Sequence, residues 1–299
     1  MGPPVVSIVQ RGVAQSKLAK GPDLNPGPKR LYFAIAFYST IDEYCAMTHR
    51  EALERFHLVF LKHFANTVSP GTVCLKGGVN LRLYCASPRL SEDMDFDARI
   101  VAKETLKKNV NKTLAAQPLV AELSAARITL GEISALKQTE TSQRWKFEVL
   151  HEGERIATRL EFSRRKKEEP FDDHAIEPPA GAVLGAYQLA PFLFPHYRPS
   201  AAYRQKINAL ATRRHAQARD VFDLQLLSPH AAAAKRTPPA LIQQALGQLS
   251  SITLAIFRDQ VVPFLPADLA AYYATSETWN RMKEQVRADL SSDLPPIAS

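Results

Sequence analysis

Three cysteines in 299 residues, Cys45, Cys74 and Cys85, are too few and too widely placed for a disulfide framework. No CxxC pair or His/Cys cluster supplies a zinc knuckle, so a reducing cytoplasm is the compartment this usage suggests. No stretch reaches the ~18 uninterrupted apolar residues of a membrane span, and the first residues lack the basic-then-apolar order of a signal peptide. Met1-Gly2 is followed by Pro3, and Val6 stands where a myristoylation site wants Ser or Thr. Heptad runs and internal repeats are missing too, which argues against a coiled coil or a solenoid. What is present is ordinary for a soluble globular protein, with 45% hydrophobic and 23% charged residues. The length allows one large domain or two small ones. The 38 basic residues against 30 acidic give a net charge of +8, which attracts polyanions such as RNA or nucleoside triphosphates.

Taken in order, residues 1–30 are interrupted by prolines and glycines and read as a flexible arm. Residues 31–46 read as a short helix. Thr48 and Glu51 form a capping-box pattern ahead of Leu53, Phe56, His57, Phe60, Leu61 and Phe64, whose spacing predicts a core-facing helix. Val73-Cys74-Leu75 reads as a buried strand, Leu81 to Tyr84 as part of a helix, and residues 92–97 as a strand with Met94 and Phe96 inward. Helices are expected over 103–114 and 118–126. From Arg127 to Ser163 the period changes to two, with Glu152-Gly153 as a hairpin turn. The charge run Arg164 to Glu169, closed by Pro170, reads as a loop and as the boundary between a core of residues 31–170 and a mainly helical region of residues 171–299. The class is α+β, a mixed sheet with flanking helices followed by a helical C-terminal half.

The informative chemistry lies in residues 72–97. Gly77-Gly78 ends an apolar run and opens a helix, an arrangement that brings backbone N–H groups and positive partial charge to an anion such as phosphate. Asp93 and Asp95, two apart on a strand, project from one face and suit a hard cation. Phosphate plus Mg²⁺ describes a nucleotide site. In the second half, Lys206 and Arg213 are seven apart on one helix, and Asp220 and Asp223 three apart on the next, so each pair shares a face.

Lys76-Gly77-Gly78 and Arg89-Leu90-Ser91-Glu92-Asp93-Met94-Asp95-Phe96 resemble the first two motifs of the AbiEii/AbiGii nucleotidyltransferase toxin family, a branch of the polymerase-β-like nucleotidyltransferases. Lys206-Ile207-Asn208-Ala209-Leu210 and Arg219-Asp220-Val221-Phe222-Asp223-Leu224 resemble the third and fourth. The resemblance runs from about residue 48 to 228. It implies a polymerase-β-like core and a Mg²⁺ ion held by Asp93 and Asp95. Glu161 is the candidate for a third carboxylate; the plain alternative pairs it with Arg159 or Arg127. Lys206 and Asp220 are implied as catalytic. Lys76, Gly77, Gly78, Asn80, Arg89, Ser91 and Arg213 are the candidate nucleotide-binding residues. Val79 departs from the family's Thr or Ser, leaving Asn80 as the nearest polar substitute. The implied activity is transfer of nucleotides from a nucleoside triphosphate to an RNA 3′ end, tRNA foremost, by a toxin with a cognate antitoxin in a toxin–antitoxin or abortive-infection system. The alternatives are a protein or small-molecule acceptor, or a catalytically silent RNA-binding relative. All of this requires Lys206 to fold close to Asp93 and Asp95.

Overall fold

The computed structural model describes residues 47–165 and 168–292. The expected arm and the helix over 31–46 lie outside them. Helix α1 (His49–Phe64) starts where the capping box puts it: the Thr48 hydroxyl accepts from the Glu51 N–H, and the Glu51 carboxylate accepts from the Thr48 N–H at 2.7 Å. There follow β1 (Val73–Lys76), α2 (Gly77–Tyr84), β2 (Met94–Ala98), α3 (Lys103–Leu114) and α4 (Gln117–Ala125). Next come β3 (Ile128–Leu130), β4 (Ser134–Gln138), β5 (Ser142–His151) and β6 (Glu154–Ser163). Between β5 and β6, Glu152 and Gly153 both have positive φ, 49° and 86°, the backbone that a two-residue type I′ hairpin needs.

Among the described residues eight strands form one mixed sheet in the order β3-β5-β6-β2-β1-β8-β7, with β4 pairing β5 beside β3 along the edge that β6 leaves free. Strand β2 runs antiparallel to β1 and parallel to β6. The last two strands, β7 (His174–Glu177) and β8 (Phe194–Tyr197), lie beyond residue 170, with α5 (Gly181–Ala186) between them. The proline-closed charge run is therefore followed by more sheet before the chain turns helical. Short strands of four residues carry too little periodicity to be seen beside a charged loop.

One apolar cluster lies under the sheet. Phe56, Phe60 and Phe64 of α1 recur every four residues, and the Phe64 ring meets Phe96 of β2, Phe162 of β6 and Phe194 of β8. Phe96 stacks on Phe162, centroids 4.5 Å apart, because the two are register partners. A second cluster belongs to α6 (Pro199–Thr212), α7 (Ala218–Leu226), α8 (Pro239–Ser251), α9 (Leu254–Gln260), α10 (Ala267–Tyr273) and α11 (Ser276–Ser291). Helix α2 joins the two, since Val79 and Leu83 pack in the first and Leu81 in the second. Among the described residues no single helix is long and apolar enough to cross a membrane.

His57 is a core residue, as its spacing predicts, and burial lowers its pKa to about 3. The unfolded chain takes up that proton below about pH 6.5, so the unfolded state binds more protons and stability falls as pH drops from there toward 3. The slope from this group approaches about 1.4 kcal/mol per pH unit. Denaturant unfolding of His57→Leu should show a visibly flatter loss of stability between about pH 6 and 4 than the parent chain; identical slopes would mean that His57 is protonated in the fold.

Candidate active site

Strand β2 alternates strictly. Met94, Phe96 and Ala98 are fully buried, so Asp93, Asp95 and Asp97 project from the opposite face. Asp95 stands opposite Lys76 of β1 on one side and Glu161 of β6 on the other. The three aspartates then differ in their partners. Asp97 takes the Lys76 ammonium at 2.6 Å and the Tyr197 hydroxyl at 2.7 Å, with Arg99 at 3.7 Å. Asp93 pairs with Arg159 at 2.8 Å. Asp95 has no ion pair among the described residues. Burial raises the Asp93 carboxyl above its ordinary range, and the nearby Asp95 adds to the shift while Arg159 opposes it. Arg219 of α7 also acts on Asp93 and Asp95.

The glycine pair abuts this place. Gly77 has φ +73°, and a Cβ built on it would lie 2.8 Å from Asp95 Oδ2. A Cβ on Gly78 would lie 2.7 Å from Ser91 Oγ and 3.0 Å from Arg89 Nη2. Only hydrogen at both positions lets the start of α2 sit against Asp95, Ser91 and Arg89 at once. Ser91 donates to the Asp93 carbonyl at 3.2 Å.

Not every candidate stands free. Asn80 is 0% exposed, donates to the Tyr197 carbonyl at 3.0 Å and meets His196 Nδ1 at 3.2 Å. Its amide ties α2 to β8. Val79 packs in the apolar cluster with Met94 and Phe96, on the side of the sheet away from the aspartates. Lys76, a nucleotide-binding candidate, is paired with Asp97 at 2.6 Å. Glu161 sits beside Asp95 as expected, yet Arg144 grips it at 2.7 and 3.0 Å, and Arg159 lies 3.7 Å away. Among the described residues no three His, Cys, Asp or Glu side chains gather around a common metal position.

Helices α6 and α7 deliver a buried ionic network to the same place. Lys206 donates to Asp223 at 2.6 Å and to Asp220 at 3.3 Å; Arg213 Nε donates to Asp220 at 2.7 Å. Arg89, from the loop before β2, reaches both oxygens of Asp223 at 3.3 Å. Both aspartates are 0% exposed. Burial works to raise the Asp223 carboxyl, and Arg89 and Lys206 overcome it, holding it below the ordinary range. Lys206 is thus joined to the glycine pair through Asp223 and Arg89. Asp220 orients Lys206 and Arg213, and Arg89 links the glycine pair to Asp223. Burial and the neighbouring Arg213 lower the Arg219 guanidinium, while Asp220 and Asp95 pull it the other way. By sequence Asp223 and Arg219 stand out only as motif and helix-face partners of Asp220, and Arg159 only as a partner for Glu161; Arg144 is missed there, though it stands directly across from Glu161 in the β5–β6 hairpin.

A family model described as nucleotidyl transferase AbiEii toxin, type IV toxin–antitoxin system, matches residues 59–295. The chain belongs to the AbiEii nucleotidyltransferase toxin family. Among curated protein sequences none matches. Of solved structures, the AbiEii-family chain is similar to MenT4, a nucleotidyltransferase toxin of Mycobacterium tuberculosis H37Rv, with 16% identity over 82% of this chain and 94% of that one and a TM-score of 0.51. It is also similar to JHP933 of Helicobacter pylori, with 18% identity over 82% of this chain and 93% of that one and a TM-score of 0.49. The first of these likenesses supports the fold, a nucleotidyltransferase sheet followed by a helical half.

Substitutions at Gly77 and Asp223 probe this AbiEii-family site, with Gly247 of α8 as a control outside it. Gly77→Ala adds both a strained φ and a clash with Asp95, and should lower unfolding free energy by about 1–3 kcal/mol. Gly247→Ala, in helix α8 with open space around it, should raise it by about 0.5–1 kcal/mol. Asp223→Ala strips the buried counter-charge from Arg89 and Lys206 and should cost about 3–5 kcal/mol in urea unfolding. A loss under about 1 kcal/mol would show that the network is dispensable.

Proposed function

We propose that this AbiEii-family toxin is a Mg²⁺-dependent enzyme that transfers nucleotides from a nucleoside triphosphate to an RNA 3′ end, tRNA foremost, and so blocks translation in the cytoplasm. The observation that carries this reading is the absence of room at Gly77: the backbone at the start of α2 lies directly against Asp95, a carboxylate with no ion pair among the described residues. An anion at the amides there and a cation at Asp93 and Asp95 are then neighbours.

The residues fit Mg²⁺. Two carboxylate side chains on one strand face, crowded enough to raise Asp93, offer hard oxygen donors and leave the rest of the coordination to water and phosphate oxygens. When bound, the ion neutralises polyphosphate charge and favours ionisation of an attacking hydroxyl. The chain's own groups do the positioning. Gly77 and Gly78 give amides to the phosphates, and Ser91 stands beside them with its hydroxyl. Lys206, with Arg213 and Arg219 near it, supplies positive charge on the α6–α7 side. Asp220 and Asp223 hold that charge in place. In the reaction the 3′ oxygen forms a bond to the α-phosphorus, the bond from that phosphorus to the bridging oxygen breaks, and pyrophosphate leaves. Glu161 acts through Arg144 and Arg159 as support for Asp93 and Asp95. The family also implies a cognate antitoxin.

Purified protein incubated with labelled nucleoside triphosphates, total RNA and Mg²⁺ should label RNA, and Asp93→Ala should lower the rate at least about a hundredfold. Expression should arrest growth, and Asp93→Ala should relieve it. Label on protein or a small molecule instead of RNA would replace the proposed acceptor; no Mg²⁺-dependent label at all would remove the activity.

A further inference from the structure

Asp93 and Arg159 stand side by side because β2 and β6 run in parallel: Met94 pairs with Leu160, and these two residues come just before. The backbones behind them are tied, since the Thr158 hydroxyl donates to the Glu92 carbonyl at 2.6 Å. Neither main chain can draw away. Any adjustment here must come from a side chain, and Arg159 has the long, flexible one, 34% exposed.

Its guanidinium lies between two carboxylates and is bonded to one of them. Nη2 holds Asp93 Oδ2 at 2.8 Å. Nε is buried without a hydrogen-bond partner among the described residues and stands 3.7 Å from Glu161 Oε2. Glu161 is itself fixed, because Arg144 grips its Oε2 at 2.7 and 3.0 Å. Its Oε1 accepts only from the Ser142 hydroxyl, at 3.4 Å, among the described residues, which leaves room for a second donor. A buried N–H with no acceptor is costly, and a small turn of the Arg159 side chain toward Glu161 satisfies it.

A divalent cation at Asp93 has to share that carboxylate with the guanidinium or displace it. Two positive groups on one carboxylate repel each other, and the arginine has a second carboxylate within reach, so displacement is the favoured outcome. We infer that Arg159 is a positioning residue that competes with the metal ion for Asp93 and passes to Glu161 as the ion binds. This rests on the Mg²⁺ site proposed above. It also gives Glu161 a role other than third ligand: it receives the displaced guanidinium beside the ion.

Mn²⁺ is a suitable probe, because its free and bound forms are counted by electron paramagnetic resonance without any turnover. Arg159→Gln removes the competing charge at a partly exposed position, and its thermal melt checks the fold; Arg159→Met, which keeps the apolar stem, is the second variant. Both should bind Mn²⁺ about fivefold more tightly than the parent chain, whereas loss of a merely structural residue leaves metal affinity unchanged or weaker. Glu161→Gln should weaken Mn²⁺ binding about threefold more in the parent chain than in the Arg159→Gln background. Unchanged or weaker Mn²⁺ binding by the folded Arg159 variants, or equal losses from Glu161→Gln in both backgrounds, would overturn the competition while leaving the metal site intact. Equal Mn²⁺ binding by the parent chain and Asp93→Ala would remove the metal site, and this inference with it.

Discussion

A carboxylate with no access to water, Asp223, holds the two halves of this molecule in one arrangement. An isolated charge in such surroundings is prohibitively costly, so it persists only while Arg89 from the loop before β2 and Lys206 from α6 both reach it. Asp220 repeats the device with Lys206 and Arg213. Such pairs add little net stability compared with apolar packing, but they tolerate few alternative geometries. What the network secures is position, since a displaced helix α7 would leave ionised groups unpaired in the interior.

The sheet contributes the complementary constraint. Pleating sends alternate side chains to opposite faces, so the stacking of Phe96 on Phe162 underneath and the alignment of Asp95 beside Glu161 above are consequences of one register. A slip of one residue would bury the carboxylates and expose the rings. The apolar core thereby sets the site's geometry to the precision of close packing.

Charge around the aspartates is distributed by element. Asp97 is neutralised within the sheet by Lys76 and Tyr197, Asp93 is matched by Arg159, and Asp95 is left without an ion pair among the described residues. Three identical residues at equal spacing have different electrostatic fates because their neighbours across the strands differ. Lys76, Asn80 and Arg89 were all plausible phosphate ligands by position, and each is instead bonded inside the protein. Lys206 and Arg213 are bonded inside the protein as well, Lys206 to Asp220 and Asp223 and Arg213 to Asp220.

The local order of the chain fixed a good deal without help. Thr48 with Glu51 marked the first helix, Glu152-Gly153 the hairpin, the alternation through Met94 and Phe96 the face on which the aspartates lie, and the paired motifs the family. These are short-range properties: a cap, a turn and a strand period depend on residues a few places apart. Folding settled the rest. Whether Lys206 meets Asp223, whether Arg89 turns inward to the same carboxylate 134 positions on, and which of three aspartates stays unpaired depend on groups carried by other elements, and no spacing rule reaches across elements. Strands β7 and β8 also escaped notice, because four residues give a periodicity too brief to separate from the prolines and charges around them. Side-chain chemistry could name the residues able to bind phosphate or metal; desolvation and the competition among neighbouring charges decided which of them were free to do so.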